Sequence, residues 1–220
     1  CEAETINFTD QSSVSSGTID VYQWDFGDLI GSDGNQNTSY LYGNPGQYNV
    51  VLTITSDSGC IDSETHQVEM FANPIADFTF VDACENTSIN FADNSNPNGA
   101  VIAQYDWDFT ANGIIDFSGS VTDYTYSTAG AYDVMLAIET AAGCVDTVVQ
   151  TVDVFSIPTA AFTGQDLCEG GTVDFTNTSS IGTGTISSQY WEFGNGGTSV
   201  AFEPSETYLT EGVYNVYLEV

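Results

Sequence analysis

Short stretches in which apolar and polar residues alternate recur along the whole chain. Ile6 and Phe8 fall on one side of an extended segment, as do Ile89 and Phe91, and Val173 and Phe175. Tyr22, Trp24 and Phe26 form a second such set, matched by Tyr105, Trp107 and Phe109. The clearest is Tyr48, Val50, Leu52 and Ile54, followed by Tyr132, Val134, Leu136 and Ile138, then Tyr214, Val216, Leu218 and Val220. A period of two is the mark of a strand with one face buried. No segment keeps an apolar period of 3.6 over three turns, so no helix is predicted. Gly, Asn, Ser and Asp gather between the runs, and Asn98-Gly99 and Asn195-Gly196 signal tight turns. The pattern predicts an all-β protein with each Trp in the core, in phase with its Tyr and Phe neighbours.

The pattern repeats. Trp24, Trp107 and Trp191 are 83 and 84 residues apart, and Cys1, Cys84 and Cys168 keep the same spacings. Cys60 and Cys144 are 84 apart. The chain therefore reads as a tandem array whose repeat has the length of a small β-sandwich. The units are placed at 1–73, 74–157 and 158–220. Pro74-Ile75-Ala76-Asp77-Phe78 and Pro158-Thr159-Ala160-Ala161-Phe162 read as the first strands of units 2 and 3. Unit 1 lacks that strand and unit 3 lacks a closing one, so the sequence reads as a window on a longer array. The joint Val154-Phe155-Ser156-Ile157-Pro158 is short, apolar and contains proline, which favours an elongated rod over beads on a flexible string. Stacked units with strands of about eight residues imply a rod on the order of 100 Å.

Composition narrows the functions. The chain has 220 residues, 31 Asp plus Glu, one His and no Lys or Arg, for a net charge of −31. About a quarter of a soluble chain is normally charged, so it is the missing cations that are unusual. Nucleic-acid binding needs Lys and Arg to displace counterions, and anionic membranes attract basic segments; both are excluded as partners. So are a P-loop, a Schiff-base lysine and an arginine clamp. The hydrophobic share of 41% and aromatic share of 13% are enough for packed cores. No stretch approaches the 18 apolar residues of a membrane helix.

Trp24-Asp25-Phe26-Gly27-Asp28, Tyr42, and Gly46-x-Tyr48-x-Val50-x-Leu52 together resemble the signature of the PKD (polycystin-type) domain. The likeness recurs three times, with Thr110-Ala111 replacing Gly-Asp in unit 2 and Asn195 replacing the second acid in unit 3. It implies tandem immunoglobulin-like β-sandwiches. The Cys-Glu openings, the later Gly-Cys-x-Asp and the Pro-x-Ala-x-Phe joints resemble PKD arrays in very large exported proteins of Bacteroidota. Those include surface adhesins, gliding-motility filaments and enzymes with PKD spacers, often exported by type IX secretion. The resemblance thus implies an extracellular or cell-surface location and no catalysis within the units.

Five cysteines in such an array read as disulfides. Repeat logic gives Cys1–Cys60 and Cys84–Cys144, each within one unit, and leaves Cys168 for a partner after Val220. Each loop of about 60 residues would restrict the unfolded chain by about 4 kcal/mol. Asp108, Thr110, Asn112, Ile114 and Asp116 follow the oxygen spacing of a calcium loop with Gly113 at its turn, although Gly119 stands where a bidentate Glu would close it. The alternative is a polar turn. Asp25, Asp28 and Asp33 offer a looser version in unit 1, and Glu192 and Asn195 a weaker one in unit 3. His66 has no triad geometry available on its strand and reads as a surface residue. Two roles remain: a structural or adhesive segment of a large surface protein, or a spacer or polysaccharide-binding accessory of a secreted hydrolase. Besides polysaccharide and other surface components, the expected partners are neighbouring repeats of the same chain.

Overall fold

The computed structural model describes residues 1–220 and is entirely strand, turn and loop. Three separate cores lie along the chain, one per repeat. The middle core is the largest, with twelve buried residues that include Phe78, Phe91, Trp107, Phe109, Tyr126 and Leu136. The first holds six, centred on Trp24, Phe26 and Tyr42, and the third holds five, centred on Trp191 and Phe193.

Unit 2 is a two-sheet sandwich. One sheet orders Phe117–Ser118, Ile102–Asp108, Gly130–Thr140, Val145–Phe155 and Ala83–Cys84; the other orders Val121–Thr125, Ser88–Asp93 and Phe78–Thr79. The alternation along Gly130–Thr140 puts Val134, Leu136 and Ile138 inward against Trp107, which is fully buried. Truncation of such a Trp to Ala typically costs about 3–5 kcal/mol. Phe78 meets the Trp107 ring edge-on at 5.1 Å, a favoured aromatic geometry.

Unit 1 repeats the plan. Ser32–Asp33, Ile19–Asp25, Gly46–Ser56 and Ile61–Met70 form one sheet, and Thr5–Phe8 pairs with Thr38–Leu41 in the other. Both units carry a one-residue register step in the Trp strand, between Ile19 and Val21 and between Ile102 and Gln104. Such bulges bend a strand and strengthen its twist. Unit 3 has shorter strands; Tyr217–Glu219 pairs only with Tyr190–Glu192. A cleft of about 880 Å³ opens beside its core, lined among others by Phe162, Val173, Phe175 and Val216.

The long hairpin of each unit fixes its two ends. In unit 1 the Gly46–Ser56 and Ile61–Met70 strands pair from Thr55–Ile61 at one end to Gly46–Met70 at the other. In unit 2 the pairing runs from Glu139–Val145 to Gly130–Val154. The chain then passes directly to the next unit, where Ile75 bridges Asn96 and Thr159 bridges Ser180.

Candidate functional site

Each unit carries an acidic loop after its Trp-strand. In unit 1, Asp25 accepts the Gly27 N–H at 2.9 Å, and Asp28 accepts the N–H groups of Ile30 and Gly31 at 3.1 and 2.8 Å. The Tyr40 hydroxyl donates to the other Asp28 oxygen. That hydroxyl is the main cause of a depressed Asp28 pKa; burial opposes it, and the two N–H groups add to it. Asp33 is lowered first by the Asn35 N–H, then by the Thr38 hydroxyl.

In unit 2 the same region is built around Asp108, which is wholly buried. One carboxylate oxygen accepts Thr110 N–H at 3.1 Å and the other accepts Gly113 N–H at 2.7 Å. Burial pushes the Asp108 pKa up, but the N–H groups of Gly113, Thr110 and Asn112 outweigh it, and the net shift is downward. Asp116 accepts Phe109 N–H at 2.8 Å, and the Asn112 side chain accepts Ile114 N–H at 2.8 Å. The Ile114 side chain is exposed. Calcium takes six to eight oxygens, whereas these oxygens are engaged by the loop's own N–H groups and no three acidic, His or Cys side chains converge. The loop is a polar turn closed by its own N–H groups, which leave further lone pairs on the Asp108 and Asp116 carboxylates. In unit 3, Asn195 accepts Gly197 N–H at 2.9 Å and donates to Glu206 at 2.7 Å, while Glu192 is exposed. His66 is exposed on its strand, with Glu64 at 3.8 Å as its only acidic neighbour within ion-pair range.

Next to each loop a tyrosine locks the sandwich. Tyr42 donates to Phe26 O at 2.9 Å, Tyr126 to Phe109 O at 2.9 Å and Tyr208 to Phe193 O at 3.0 Å. Burial, followed by repulsion from Asp28 and neighbouring tyrosines, pushes the Tyr42 pKa up to about 12. Tyr126 is shifted in the same direction, again chiefly by burial. The Trp indoles are likewise satisfied, donating to Asn35 O, Gly119 O and Ala201 O. The regular recurrence of these tyrosines was the sequence signal for this bond.

The cysteines correct the pairing expected from the repeats. Cys1 bonds Cys144, joining unit 1 to unit 2, with Cα atoms 5.5 Å apart; Cys60, Cys84 and Cys168 are free and exposed. The reason is position along the sandwich. Cys60 precedes Ile61 at one end of the long hairpin, whereas Cys1 lies by Phe71 at the other, where Glu2 N–H donates to Phe71 O. In unit 2, Cys84 pairs with Phe155 and Cys144 lies at the opposite turn. Ten residues of strand separate the two ends by roughly 33 Å, and a disulfide spans Cα atoms only about 4.4–6.8 Å apart. Pairing within a unit is therefore impossible, and Cys1 instead meets the turn of the following unit. At the same junction Asn98 of unit 2 donates to Asn73 O at 2.7 Å, and within unit 2 Asp146 of the Gly-Cys-Val-Asp turn holds the entering strand by accepting Ala76 N–H at 2.8 Å.

With three sandwiches, a Trp–Tyr core in each and the repeated acidic turn in view, the comparison with known families is decisive. A PKD domain family model matches residues 1–72, 71–155 and 156–220. The chain belongs to the PKD domain family. Over 69 residues, 30% of this chain, it is 36% identical to the collagenase ColA of Clostridium perfringens, and the match spans 6% of that protein. Among solved structures, the PKD1 domain of the Vibrio cholerae metalloprotease PrtV is 30% identical, with 38% of this chain and 98% of that one covered and a TM-score of 0.33. The PKD1 domain of Vibrio anguillarum Epp is 26% identical, with 38% and 95% covered and a TM-score of 0.34. No helix of this PKD array is long and apolar enough to cross a membrane.

Proposed function

We propose that this PKD array is a non-enzymatic structural segment of a large extracellular protein, a stalk or filament that serves adhesion or gliding at a cell surface. The observation that carries this reading is the disulfide that ties one unit to the next. A bond across a junction fixes how consecutive units sit, which matters for a chain that must hold length. Disulfides persist in oxidising, extracellular surroundings. The net charge of −31 keeps nucleic acid and anionic membranes off the surface, and neighbouring repeats are the principal partners. Small-angle scattering tests the shape. A rod on the order of 100 Å long has a radius of gyration of roughly 30 Å, whereas a compact chain of this length would give about 17 Å. The smaller value overturns the stalk.

The likeness to a collagenase segment favours a second reading, in which the units space a catalytic domain or hold its polysaccharide or protein substrate. Affinity electrophoresis of the chain through immobilised polysaccharides and collagen separates the two. Retardation by either supports the accessory role, and unchanged mobility supports the stalk.

A further inference from the structure

The free cysteines occupy the same two settings as the bonded pair. In the opening turn, Glu2 N–H donates to Phe71 O at 2.7 Å and Glu85 N–H to Phe155 O at 2.9 Å. The Glu2 carboxylate accepts Asn73 N–H at 3.3 Å, and the Glu85 carboxylate accepts Ile157 N–H at 3.1 Å. The second residue after each opening cysteine, Ala3, Asn86 or Gly170, has positive φ and donates to the carbonyl of the buried Tyr42, the buried Tyr126 or the half-buried Tyr208. Each opening cysteine carbonyl accepts a turn bond, from Glu4, Thr87 and Gly171. Cys1 and Cys84 thus share the whole frame, and Cys168 shares the part made by Gly170 and Gly171.

The hairpin turn repeats as closely. Ser56 N–H donates to Cys60 O at 2.9 Å and Thr140 N–H to Cys144 O at 2.8 Å. Cys60 N–H donates to the Ser56 hydroxyl and Cys144 N–H to the Thr140 hydroxyl, both at 3.1 Å. The preceding Gly59 and Gly143 both have φ of 81°. The two turns differ in surroundings: Cys144, against unit 1, is buried, and Cys60 is exposed.

We infer that Cys1–Cys144 is one link of a staple that recurs at every junction, reaching one unit forward. Cys84 and Cys168 are opening halves of the same link, and Cys60 is a turn half, each set to bond the complementary cysteine of an adjoining PKD unit. The inference rests on the bonded pair and the shared hydrogen-bond frames, independently of any adhesive role. The bond forms by exchange with a small disulfide such as oxidised glutathione. One protein thiolate attacks it and releases a glutathione thiolate; the second protein thiolate then displaces the other. Two protein thiols are oxidised and one glutathione disulfide is reduced to two thiols.

A second copy of the chain supplies the adjoining unit for a test. Concentrated protein is incubated in a glutathione redox buffer, separated without reduction and mapped by peptide mass spectrometry. The expected products are covalent oligomers joined from Cys60 of one copy to an opening cysteine, chiefly Cys168, of another. Cys60→Ser should abolish them, Cys168→Ser should deplete them several-fold and Cys84→Ser should leave most of them, with Cys1–Cys144 intact in all three. Symmetric Cys60–Cys60 or Cys168–Cys168 links in comparable yield, or no oligomers at all, would overturn the staple.

Discussion

At the residue scale, the units depend on buried oxygens that have one donor each to satisfy them. Phe26 O and Phe109 O receive their tyrosine hydroxyls inside the core. Tyr42→Phe or Tyr126→Phe leaves that carbonyl without its side-chain donor and should cost about 1–3 kcal/mol. A loss of 1 kcal/mol in a domain of this size lowers the melting temperature by roughly 4–8 °C. Absorbance titration at high pH supplies an independent reading: Tyr42 should ionise near 12, and Tyr42→Phe should shrink the late-ionising amplitude by one tyrosine while the share of Tyr126 stays. Asp108 gives the acid counterpart. Its folded pKa is lowered by N–H donors, so its contribution is complete above the unfolded carboxylate value of about 3.9. It is lost as pH falls through the folded value. Asp108→Asn sets an amide NH₂ against one of these N–H donors. The variant should be less stable than the parent at neutral pH, and the gap should close in acid. A gap that is constant with pH would remove the ionised carboxylate from the account.

At the scale of elements, the loop after the Trp-strand and the long hairpin approach so closely in units 1 and 3 that only glycine fits between them. Gly27 has φ of 76°, and a Cβ there would lie 2.4 Å from Asn49 O; Gly194 stands in the same relation to Asn215 O at 2.6 Å. Gly27→Ala meets both backbone strain and a collision, each of order 1 kcal/mol or more, and should lower the urea midpoint of unit 1 while the transition of unit 2 stays in place. Unit 2 has Thr110 at the equivalent site and moves its positive φ to Ala111, at 47°. The strands that keep one face in a core were legible in the sequence because they alternate, Tyr48 to Ile54 being the plainest case; Ile61–Met70, exposed over most of its length, carries no such alternation. The acidic turns were legible as oxygen-rich segments, but their occupancy was not, since spacing reports which side chains are near one another and not which backbone N–H groups already hold them. The disulfide was legible only in part. Periodicity sorts the cysteines into opening and turn classes. Which end of the sandwich each class occupies depends on how many strands the chain crosses between them, and the spacing of 84 is silent on that.

At the scale of the whole molecule, charge and the junction set behaviour together. With no Lys or Arg, carboxylates repel along the array over about 8 Å in physiological salt. The melting temperature should therefore rise as NaCl screens them. At fixed ionic strength, a further rise with calcium that disappears in Asp108→Asn would place the ion in that turn; equal melting temperatures for the two salts would leave the turn closed on itself. Melts of the parent and variant in both salts decide this.

The junction disulfide also determines how the molecule answers to being pulled. Tension applied between Cys1 and the strand after Cys144 runs through the sulfur atoms and bypasses the 143-residue span that the bond encloses. All of unit 1 and most of unit 2 are then shielded from load, and only the segment from Val145 onward bears it. In single-molecule stretching the oxidised chain should release less length than the reduced one by roughly 500 Å, the extended reach of the enclosed span. An array linked in this way at each joint would lengthen little before its covalent bonds were strained, behaving as a tether with a built-in limit to its stretch.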